Sequence, residues 1–482
     1  MSKKSKLEFQ ISINKSQLRE GTAVSNIDGR LWGEVGANVG RYFGDEAMVR
    51  ARVGVESRYL IALSEIGLIR KLYPKEKDTL LNLHKKLDSK SYQDLRKIEA
   101  EVRHDVMVMT MFMRKILANS KLSDIIDAGW IHWALTSEDV DNLSRSTLLK
   151  AFISDVYFAE ATVFLENIIR LAEKTKNVII PGKTHLQTAV PTTLGKEIAL
   201  YGLRVSEQLV TLKRFRIRGK LTGAVGNIAA QKAAYPRINW RAFSKNFVES
   251  LGLEASIYTT QIEPRSNLVG LLQKIQIINS ILIDLSQDMR LWIGMEYLAQ
   301  EVKNVEFGSS AMPQKVNPID FENTQGNALF SNWIIEGLVR LLPVSWLQRD
   351  LVDKTIMRNF GLVFGHALIS LVSASKGINR VIPNAEKIEE ELNRDWSIIS
   401  EGLQTYLRSI GKADAYEMLK KLAHGRKLTE RDVSAWVDRL KISSSEKRVI
   451  KNLTPKTYIG YAKENCEEML NKIKRDVNFI RP

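Results

Sequence analysis

The spacing of the proline residues limits most strongly what this chain can fold into. The sequence has 482 residues but only 11 prolines. Proline removes a helical hydrogen bond and clashes with the preceding turn, so long stretches without proline are open to long helices. Four such stretches lie between Pro74 and Pro181, Pro191 and Pro236, Pro264 and Pro313, and Pro343 and Pro383.

The third of these stretches carries the clearest helical pattern. From Asn267 to Ala299, apolar residues recur at alternating steps of three and four, which is the spacing of a seam in a helical bundle. These residues are Leu268, Leu271, Ile275, Ile278, Leu282, Leu285, Met289 and Trp292. The stretches 144–175, 192–215 and 344–379 can supply the partner helices. We therefore predict an all-α fold around a central bundle of long helices.

The distribution of helical and charged segments predicts three domains. A mixed helical domain covers residues 1–136, the long-helix bundle covers 137–382, and a charged domain of shorter helices covers 383–482. No uninterrupted apolar run reaches the length of a membrane span, and no apolar signal segment follows Met1. We expect a cytoplasmic protein. The single cysteine, Cys466, excludes an intramolecular disulfide and a cysteine-based metal cluster.

The formal net charge of +16 raises the question of an anionic partner. The lysines and arginines are spread along the chain, and neither an aromatic-interleaved basic motif nor a zinc-finger spacing is present. A solvated basic surface is therefore favoured, and such a field would also suit a small anionic substrate. A basic helical scaffold that binds nucleic acid remains as an alternative function.

One polar segment stands out between two apolar helical stretches. Residues 308–318 read GSSAMPQKVNP. Asn317 suits a helix N-cap and Pro318 the first helical position, which places Lys315 near the positive end of a helix. The segment can be a mobile lid in which Ser309 is a base or nucleophile and the helix start binds an oxyanion. It can equally be an ordinary capped loop.

Other polar segments bring candidate residues for acid, base or anion-binding roles. His185 lies in the segment 181–191, which reads PGKTHLQTAVP and should form a loop between two helices. His104 lies in EVRHDV at the start of a helix, beside Arg103 and Asp105. Thr136 and Ser137 precede another helix, where hydroxyl and N–H groups suit a carboxylate.

Taken together, these segments resemble known sequences. GSSAMPQKVNP resembles the signature loop of the fumarase and aspartase superfamily, whose members are homotetramers that eliminate fumarate from a succinyl-bearing substrate. RHDV, TSED, THLQ, TTQIEPR and the run from QRDL to Arg358 resemble segments of its adenylosuccinate lyase family. The resemblance extends from Asp28 to Asn359 and is thin after Pro383.

The resemblance implies a role for each matching residue. Ser309 would be the general base and His185 the general acid, and Lys315 and Asn317 would stabilise the developing negative charge. His104 would be a further catalytic residue. The implied substrate-binding residues are Arg30, Arg103, His104, Asp105, Thr136, Ser137, Thr184, Gln261, Arg349, Lys354 and Arg358. The Thr136–Ser137 pair would bind the succinyl group, and Arg30, Arg349 and Arg358 would bind phosphate.

The resemblance also implies how the enzyme works as a whole. It would release fumarate from adenylosuccinate and from succinylaminoimidazole carboxamide ribotide, without a metal or organic cofactor, in a homotetramer whose active sites are each shared by three subunits. Two positions depart from the family pattern: Leu31 replaces an aromatic residue, and Lys354 replaces a hydroxyl residue that helps to hold phosphate. The segment MPQK, which contains Gln314, also resembles argininosuccinate lyases, so a sister lyase acting on argininosuccinate, malate or aspartate remains an alternative.

Overall fold

From residue 35 onward, the N-terminal part of the described chain consists of one longer helix and several short ones. A computed structural model describes residues 35–301, 312 and 315–481. The first helices are α1 (Ala37–Phe43), α2 (Asp45–Glu65), α3 (Pro74–Leu81), α4 (Ser89–Val102), α5 (Asp105–Leu117) and α6 (Ser123–Asp127), with a 3₁₀ turn at Leu83–Lys86.

Long helices make up the centre of the chain, which confirms the predicted all-α class. They are α7 (Ser137–Phe152), α8 (Phe158–Thr175), α9 (Leu194–Arg214), α12 (Ser266–Gly294), α13 (Ile319–Leu341) and α15 (Phe360–Arg380). A π-helical turn at Ile153–Tyr157 joins α7 to α8. Three short helices lie between them: α10 (Ala229–Ala234), α11 (Trp240–Ser250) and α14 (Val352–Met357).

The predicted seam of α12 is buried. Of its eight apolar residues, all but Leu268 are buried, and they pack with α13 and α15 in one large core. Burial of each of these leucine and isoleucine side chains stabilises the fold by about 1.5–3 kcal/mol. At Gly377 on α15, a Cβ atom would lie 2.8 Å from the ring of Phe321 on α13. Glycine at this position therefore allows the two helices to pack closely.

The described residues contain three two-stranded sheets, all small. They are β1 (Ile179–Thr184) with β2 (Gln187–Thr193), β3 (Arg218–Gly219) with β4 (Glu254–Ala255), and β5 (Leu298–Gln300) with β6 (Val381–Pro383). The first is an antiparallel hairpin in the segment for which the sequence predicted a loop. Its two prolines, Pro181 and Pro191, are paired with each other, and a two-stranded ribbon accommodates them because each strand has a free edge.

The C-terminal part continues with short amphipathic helices. They are α16 (Ala385–Asn393), α17 (Ser400–Ser409), α18 (Ala415–Ala423), α19 (Glu430–Arg439), α20 (Ser444–Lys451) and α21 (Ala462–Ile480), with a 3₁₀ turn at Trp396–Ile399. Helices α17 to α20 share a separate apolar core, whereas α21 packs against α8 and α9 in the central bundle. The boundaries between the three predicted domains stay a prediction.

Two helical segments are as long and apolar as membrane-spanning helices, although no uninterrupted apolar run of that length occurs in the sequence. Ser266–Gly294 and Val352–Arg380 are long and apolar enough to cross a membrane, with mean hydropathies of 1.5 and 1.4. In each, half or more of the most apolar window is buried against other parts of the protein. Core helices of a bundle have the same composition, because they are surrounded by apolar neighbours.

Candidate active site

The start of α7 is fixed by a buried ion pair. Thr136 is the N-cap of α7, at the helix start that the sequence predicted, and its amide donates a hydrogen bond to Oδ2 of Asp139 at 3.0 Å. The other carboxylate oxygen of Asp139 lies 2.7 Å from Nζ of Lys220, and both side chains are fully buried. The same oxygen accepts a hydrogen bond from the amide of Thr222 at 3.1 Å. The glycine-rich segment 219–226 therefore folds over the helix that carries Ser137.

Immediately after Ser137, Glu138 lies at the centre of a network of arginines. Oε1 of Glu138 lies 2.5 Å from Nη2 of Arg265, and Oε2 lies 2.7 Å from Nη1 of Arg349. Arg265 also donates to Oδ2 of Asp353 at 2.6 Å. Burial acts to raise the pKa of Glu138, but the neighbouring arginine charges outweigh it, so that this pKa is lowered. Glu138 is therefore a buried anion that holds two guanidinium groups beside the helix start.

One turn further along α7, Asp141 is the centre of a second network. Its Oδ1 accepts from Nε of Arg52 at 2.7 Å, and its Oδ2 lies 2.8 Å from Nζ of Lys354. The same two cations contact Asp105, at 2.6 Å from Arg52 and 2.9 Å from Lys354. Although burial acts to raise the pKa of Asp105, these cations hold it well below its usual range. Asp105 and Lys354, both predicted substrate-binding residues, are thus brought together.

Helix α14 connects the two networks. Its neighbouring residues Asp353 and Lys354 contact Arg265 and Asp141, respectively. On α7, Glu138 and Asp141 are three residues apart and so project from one face of the helix. Five distant parts of the sequence therefore meet at this face. They are α2, the start of α5, α7, Arg265 before α12, and α14.

His104 lies exposed at the edge of the second network. It is the N-cap of α5, and its Nδ1 accepts a hydrogen bond from the amide of Met107 at 3.2 Å. In the neutral imidazole, the proton is then on Nε2, which can donate to a ligand. Arg103 before it ends α4 in the left-handed conformation, with φ of 56°, and is also exposed. The RHD segment therefore presents two exposed polar side chains next to the anchored Asp105.

Gln261 links the TTQIEPR segment to the residues around Arg349. Its amide donates to the carbonyl of Gln348 at 3.3 Å, and its side-chain Nε2 donates to the carbonyl of Ala224 at 2.9 Å. Arg349 follows Gln348 directly and belongs to the network around Glu138. The predicted binding residues Gln261 and Arg349 thus lie in contacting segments.

His185 lies apart from these networks. It is at the tip of the β1–β2 hairpin, directly after Thr184, and both His185 and Leu186 have positive φ values, of 52° and 60°. Its side chain is exposed. Among the described residues, His185 forms no hydrogen bond or ion pair with any other predicted site residue.

The signature loop is described only at its end. Helix α13 begins at Ile319 with Pro318 as the N-cap, so the prediction that Asn317 is the cap and Pro318 the first helical residue is wrong by one position. The first turn carries two acidic residues, Asp320 and Glu322, which suit the positive end of a helix. Lys315 is exposed, and its amide donates to the carbonyl of Met312 at 3.1 Å.

Two predicted site residues lie outside the described part of the chain. They are Ser309, the expected base, and Arg30, an expected phosphate contact. The departure at Leu31 also lies there.

Two cavities flank the networks. The larger, of about 1140 Å³, is bounded by Thr259, Thr260 and Arg265 together with exposed basic residues of the segment 232–241. The smaller, of about 480 Å³, is bounded by Asp105, Lys354, Arg358 and the first helices of the chain. Arg358 lies at the break between α14 and α15.

Several residues of the networks were missed by the sequence interpretation. Arg52, Asp141, Glu138, Arg265 and Asp353 are all buried and charged. The available signal was a charged residue inside an apolar helical stretch, as with Arg52 in AMVRARVGVESRYLIAL. Since buried charges are rare unless paired, such a residue points to a partner elsewhere in the chain.

Solved structures share this arrangement of helices. The chain is similar to a 3-carboxy-cis,cis-muconate lactonizing enzyme from Pseudomonas putida, with a TM-score of 0.74 and 17% identity over 92% of this chain and 98% of that one. It is also similar to a fumarate lyase from Mesorhizobium sp. BNC1, with a TM-score of 0.72 and 15% identity over 90% and 97%. At these identities the likeness shows the fold.

Sequence comparisons show the class and then the family. The family model described as "Lyase" matches residues 41–329, so the chain is a lyase. The model described as "Adenylosuccinate lyase C-terminal" matches residues 345–459. Curated adenylosuccinate lyases from Haemophilus influenzae and Escherichia coli are each 36% identical over 456 residues, covering 94% of this chain and all of theirs. One from Dictyostelium discoideum is 36% identical over 92% of this chain and 97% of its own. The chain belongs to the adenylosuccinate lyase family.

Proposed function

We propose that this enzyme splits adenylosuccinate into AMP and fumarate, and succinylaminoimidazole carboxamide ribotide into its amide and fumarate, in purine nucleotide biosynthesis. The observation that carries the proposal is the 36% identity to adenylosuccinate lyases over nearly the whole chain. The arginine-rich networks at the start of α7 support it, because the substrate carries two carboxylates and a phosphate. Membership of this family favours it over a sister lyase or a nucleic-acid-binding scaffold.

The reaction is an anti β-elimination. Ser309 removes a proton from the succinyl carbon next to a carboxylate, and the electron pair then forms the double bond of fumarate while the carbon–nitrogen bond breaks. His185 gives a proton to the departing nitrogen. Lys315, Asn317 and the start of α13 stabilise the negative charge that develops on the carboxylate. Acid and base catalysis each contribute roughly 10²–10⁴-fold to such reactions.

The binding half of the site lies along one face of α7. Arg349 supports this assignment, because its Nε and Nη1 have no hydrogen-bond acceptor within the described residues, although Nη1 lies 2.7 Å from Oε2 of Glu138. The contact is therefore a close ion pair without a well-aligned hydrogen bond. A substrate anion at this position would complete the bonding of the guanidinium. The exposed His104 and Arg103 and the hydroxyls of the Thr136–Ser137 pair complete the pocket.

The catalytic half comes from other copies in a homotetramer. Helices α12 and α13 support this assembly, because large apolar side chains remain exposed on both. Ile277 and Leu291 on α12 are 46% and 44% exposed, and Phe330 and Trp333 on α13 are 41% and 62% exposed. Long core helices with such faces are suited to packing against copies of themselves. The enzyme acts in the cytoplasm on small molecules, without a nucleic-acid or membrane partner.

The direct test is incubation of the purified enzyme with adenylosuccinate while AMP and fumarate are measured. Equal amounts of both products are expected, and parallel reactions with argininosuccinate, malate and aspartate should give none. Ser309→Ala and His185→Ala should each abolish turnover while leaving the oligomer intact. Turnover of a different superfamily substrate in preference to adenylosuccinate would refute the substrate assignment.

A further inference from the structure

Arg145 on α7 lies on the same face as the two network carboxylates. It follows Glu138 by seven residues and Asp141 by four, so all three side chains project in similar directions. Arg145 is partly buried. Within the part of the chain that the structure describes, its guanidinium forms no hydrogen bond or ion pair.

The neighbouring carboxylates already have cationic partners. Glu138 contacts Arg265 and Arg349, and Asp141 contacts Arg52 and Lys354. The two networks and Arg145 together comprise five cations and four carboxylates. The cations are Arg52, Arg145, Arg265, Arg349 and Lys354, and the carboxylates are Asp105, Glu138, Asp141 and Asp353. The positive charge left without a partner is that of Arg145.

Burial lowers the pKa of Arg145; the charge of Glu138 opposes this effect and that of Arg265 reinforces it. A guanidinium in such a place is costly unless an anion approaches it. The pKa direction agrees with the geometry: the protein supplies a partly buried cation and no acceptor of its own within the described residues.

The cavity of about 480 Å³ shows where such an anion can bind. Both Arg145 and Arg358 line it. Other cations at its wall are already paired: Arg52 and Lys354 contact Asp105, and Arg96 lies 2.8 Å from Glu99 and 3.4 Å from Asp45. Arg358, like Arg145, forms no hydrogen bond or ion pair with the described residues. The cavity therefore has two guanidinium groups available for a ligand.

We propose that Arg145, together with Arg358, binds the phosphate group of the nucleotide substrate in this cavity. The inference rests on the proposed function, which supplies a substrate with a phosphate. It explains how the enzyme tolerates Lys354 in place of a hydroxyl residue: the ammonium is bound by Asp105 and Asp141, and Arg145 supplies the missing phosphate contact from the neighbouring helix.

The position along α7 agrees with this assignment. Eight residues separate Ser137 from Arg145, which is about 12 Å along a helix axis. The succinyl carboxylates lie at the helix start in the proposed binding mode, so the other end of the nucleotide lies toward Arg145. Two guanidinium forks suit a phosphate dianion better than a single carboxylate, since each can donate two parallel hydrogen bonds.

Calorimetric titration with AMP and with adenosine tests the proposal, because the two ligands differ only in the phosphate. Arg145→Gln should weaken AMP binding about tenfold or more and leave adenosine binding within about twofold, whereas Arg145→Lys should recover part of the loss. The matched control is Arg218→Gln, which removes an exposed arginine that is paired with Glu254 at 2.7 Å. It should change neither affinity.

An AMP affinity within about twofold of wild type in Arg145→Gln, or an equal loss for AMP and adenosine, would overturn the assignment. Thermal melting of each variant shows whether it is folded. If Arg145→Gln does not fold, the AMP and adenosine affinities of Arg145→Lys are compared with those of wild type instead. Because binding is measured without turnover, the outcome is separate from the proposed reaction. If the enzyme binds AMP through Arg145 but does not cleave adenylosuccinate, the proposed reaction is refuted and the phosphate site is retained.

Discussion

The ammonium of Lys354 lies 2.8 Å from a carboxylate oxygen of Asp141, a residue that is only 1% exposed. It also lies 2.9 Å from Asp105. The sequence predicted Lys354 as a substrate-binding residue, and this role stays a prediction. What the geometry adds is a structural role, because Lys354 joins α14 to α7 and to the start of α5.

Replacing Lys354 with methionine should therefore lower stability. The change leaves Asp105 and Asp141 with Arg52 as their only cation in this network, and we expect a loss of about 2 kcal/mol. Urea unfolding of both proteins at one concentration measures it, since the stability of an oligomer depends on concentration. Lys354→Arg keeps the charge and should retain most of the stability. An unchanged stability with weakened substrate binding would show that the lysine serves the ligand alone.

The fully buried pair of Lys220 and Asp139 gives a second prediction. Lys220→Met leaves an uncompensated carboxylate under the start of α7 and should cost about 3 kcal/mol. The control is Lys451→Met, since Lys451 also lies 2.7 Å from its partner, Asp438, but both side chains are exposed. This variant should lose much less stability, because solvent screens an exposed ion pair. Similar losses in the two variants would contradict the role assigned to burial.

Glu263 should make stability depend on pH. Burial raises its pKa from 4.5 to about 7, with the charge of Arg265 opposing the effect, and its Oε1 has no hydrogen-bond partner among the described residues. The native state thus retains a proton that the unfolded state releases between pH 4.5 and 7. The stabilisation is complete below this window and is lost as pH rises through it, by about 3 kcal/mol.

Unfolding measured across this pH window tests the prediction. Glu263→Gln should remove most of that slope, whereas Glu173→Gln, at an exposed carboxylate paired with Lys474, should leave it nearly unchanged. A slope that persists in Glu263→Gln would assign the pH dependence to other groups.

The sequence predicted the central helices well, because proline gaps and apolar periodicity are local signals. It predicted a loop at residues 181–191, where the structure has a hairpin, since the two prolines concealed the strand pattern. Thr136 and His104 were found because helix starts have local signals in hydroxyl and acidic residues.

The buried parts of the binding face were not predicted. Arg52 and Asp141 are 89 positions apart, and Arg265 and Glu138 are 127 apart. No local pattern shows that such residues are partners. The same holds for Arg145, whose distinguishing feature is that Glu138 and Asp141 on its own helix face are already paired.

We propose that one chain supplies the binding face of each active site while another supplies His185. This proposal is tested most directly by mixing two inactive variants, His185→Ala and Arg349→Gln, and allowing their subunits to exchange. If the two residues of each site come from different copies, random mixing should restore activity to roughly a quarter of wild type, because a quarter of the sites then contain neither substitution.

The measurement is the rate of fumarate release from adenylosuccinate, recorded for each variant alone and for the mixture. We expect each variant alone to be inactive and the mixture to be active. A mixture that stays inactive, although size-exclusion chromatography shows hybrid oligomers of the wild-type size, would contradict it, because His185 and Arg349 would then act within one chain.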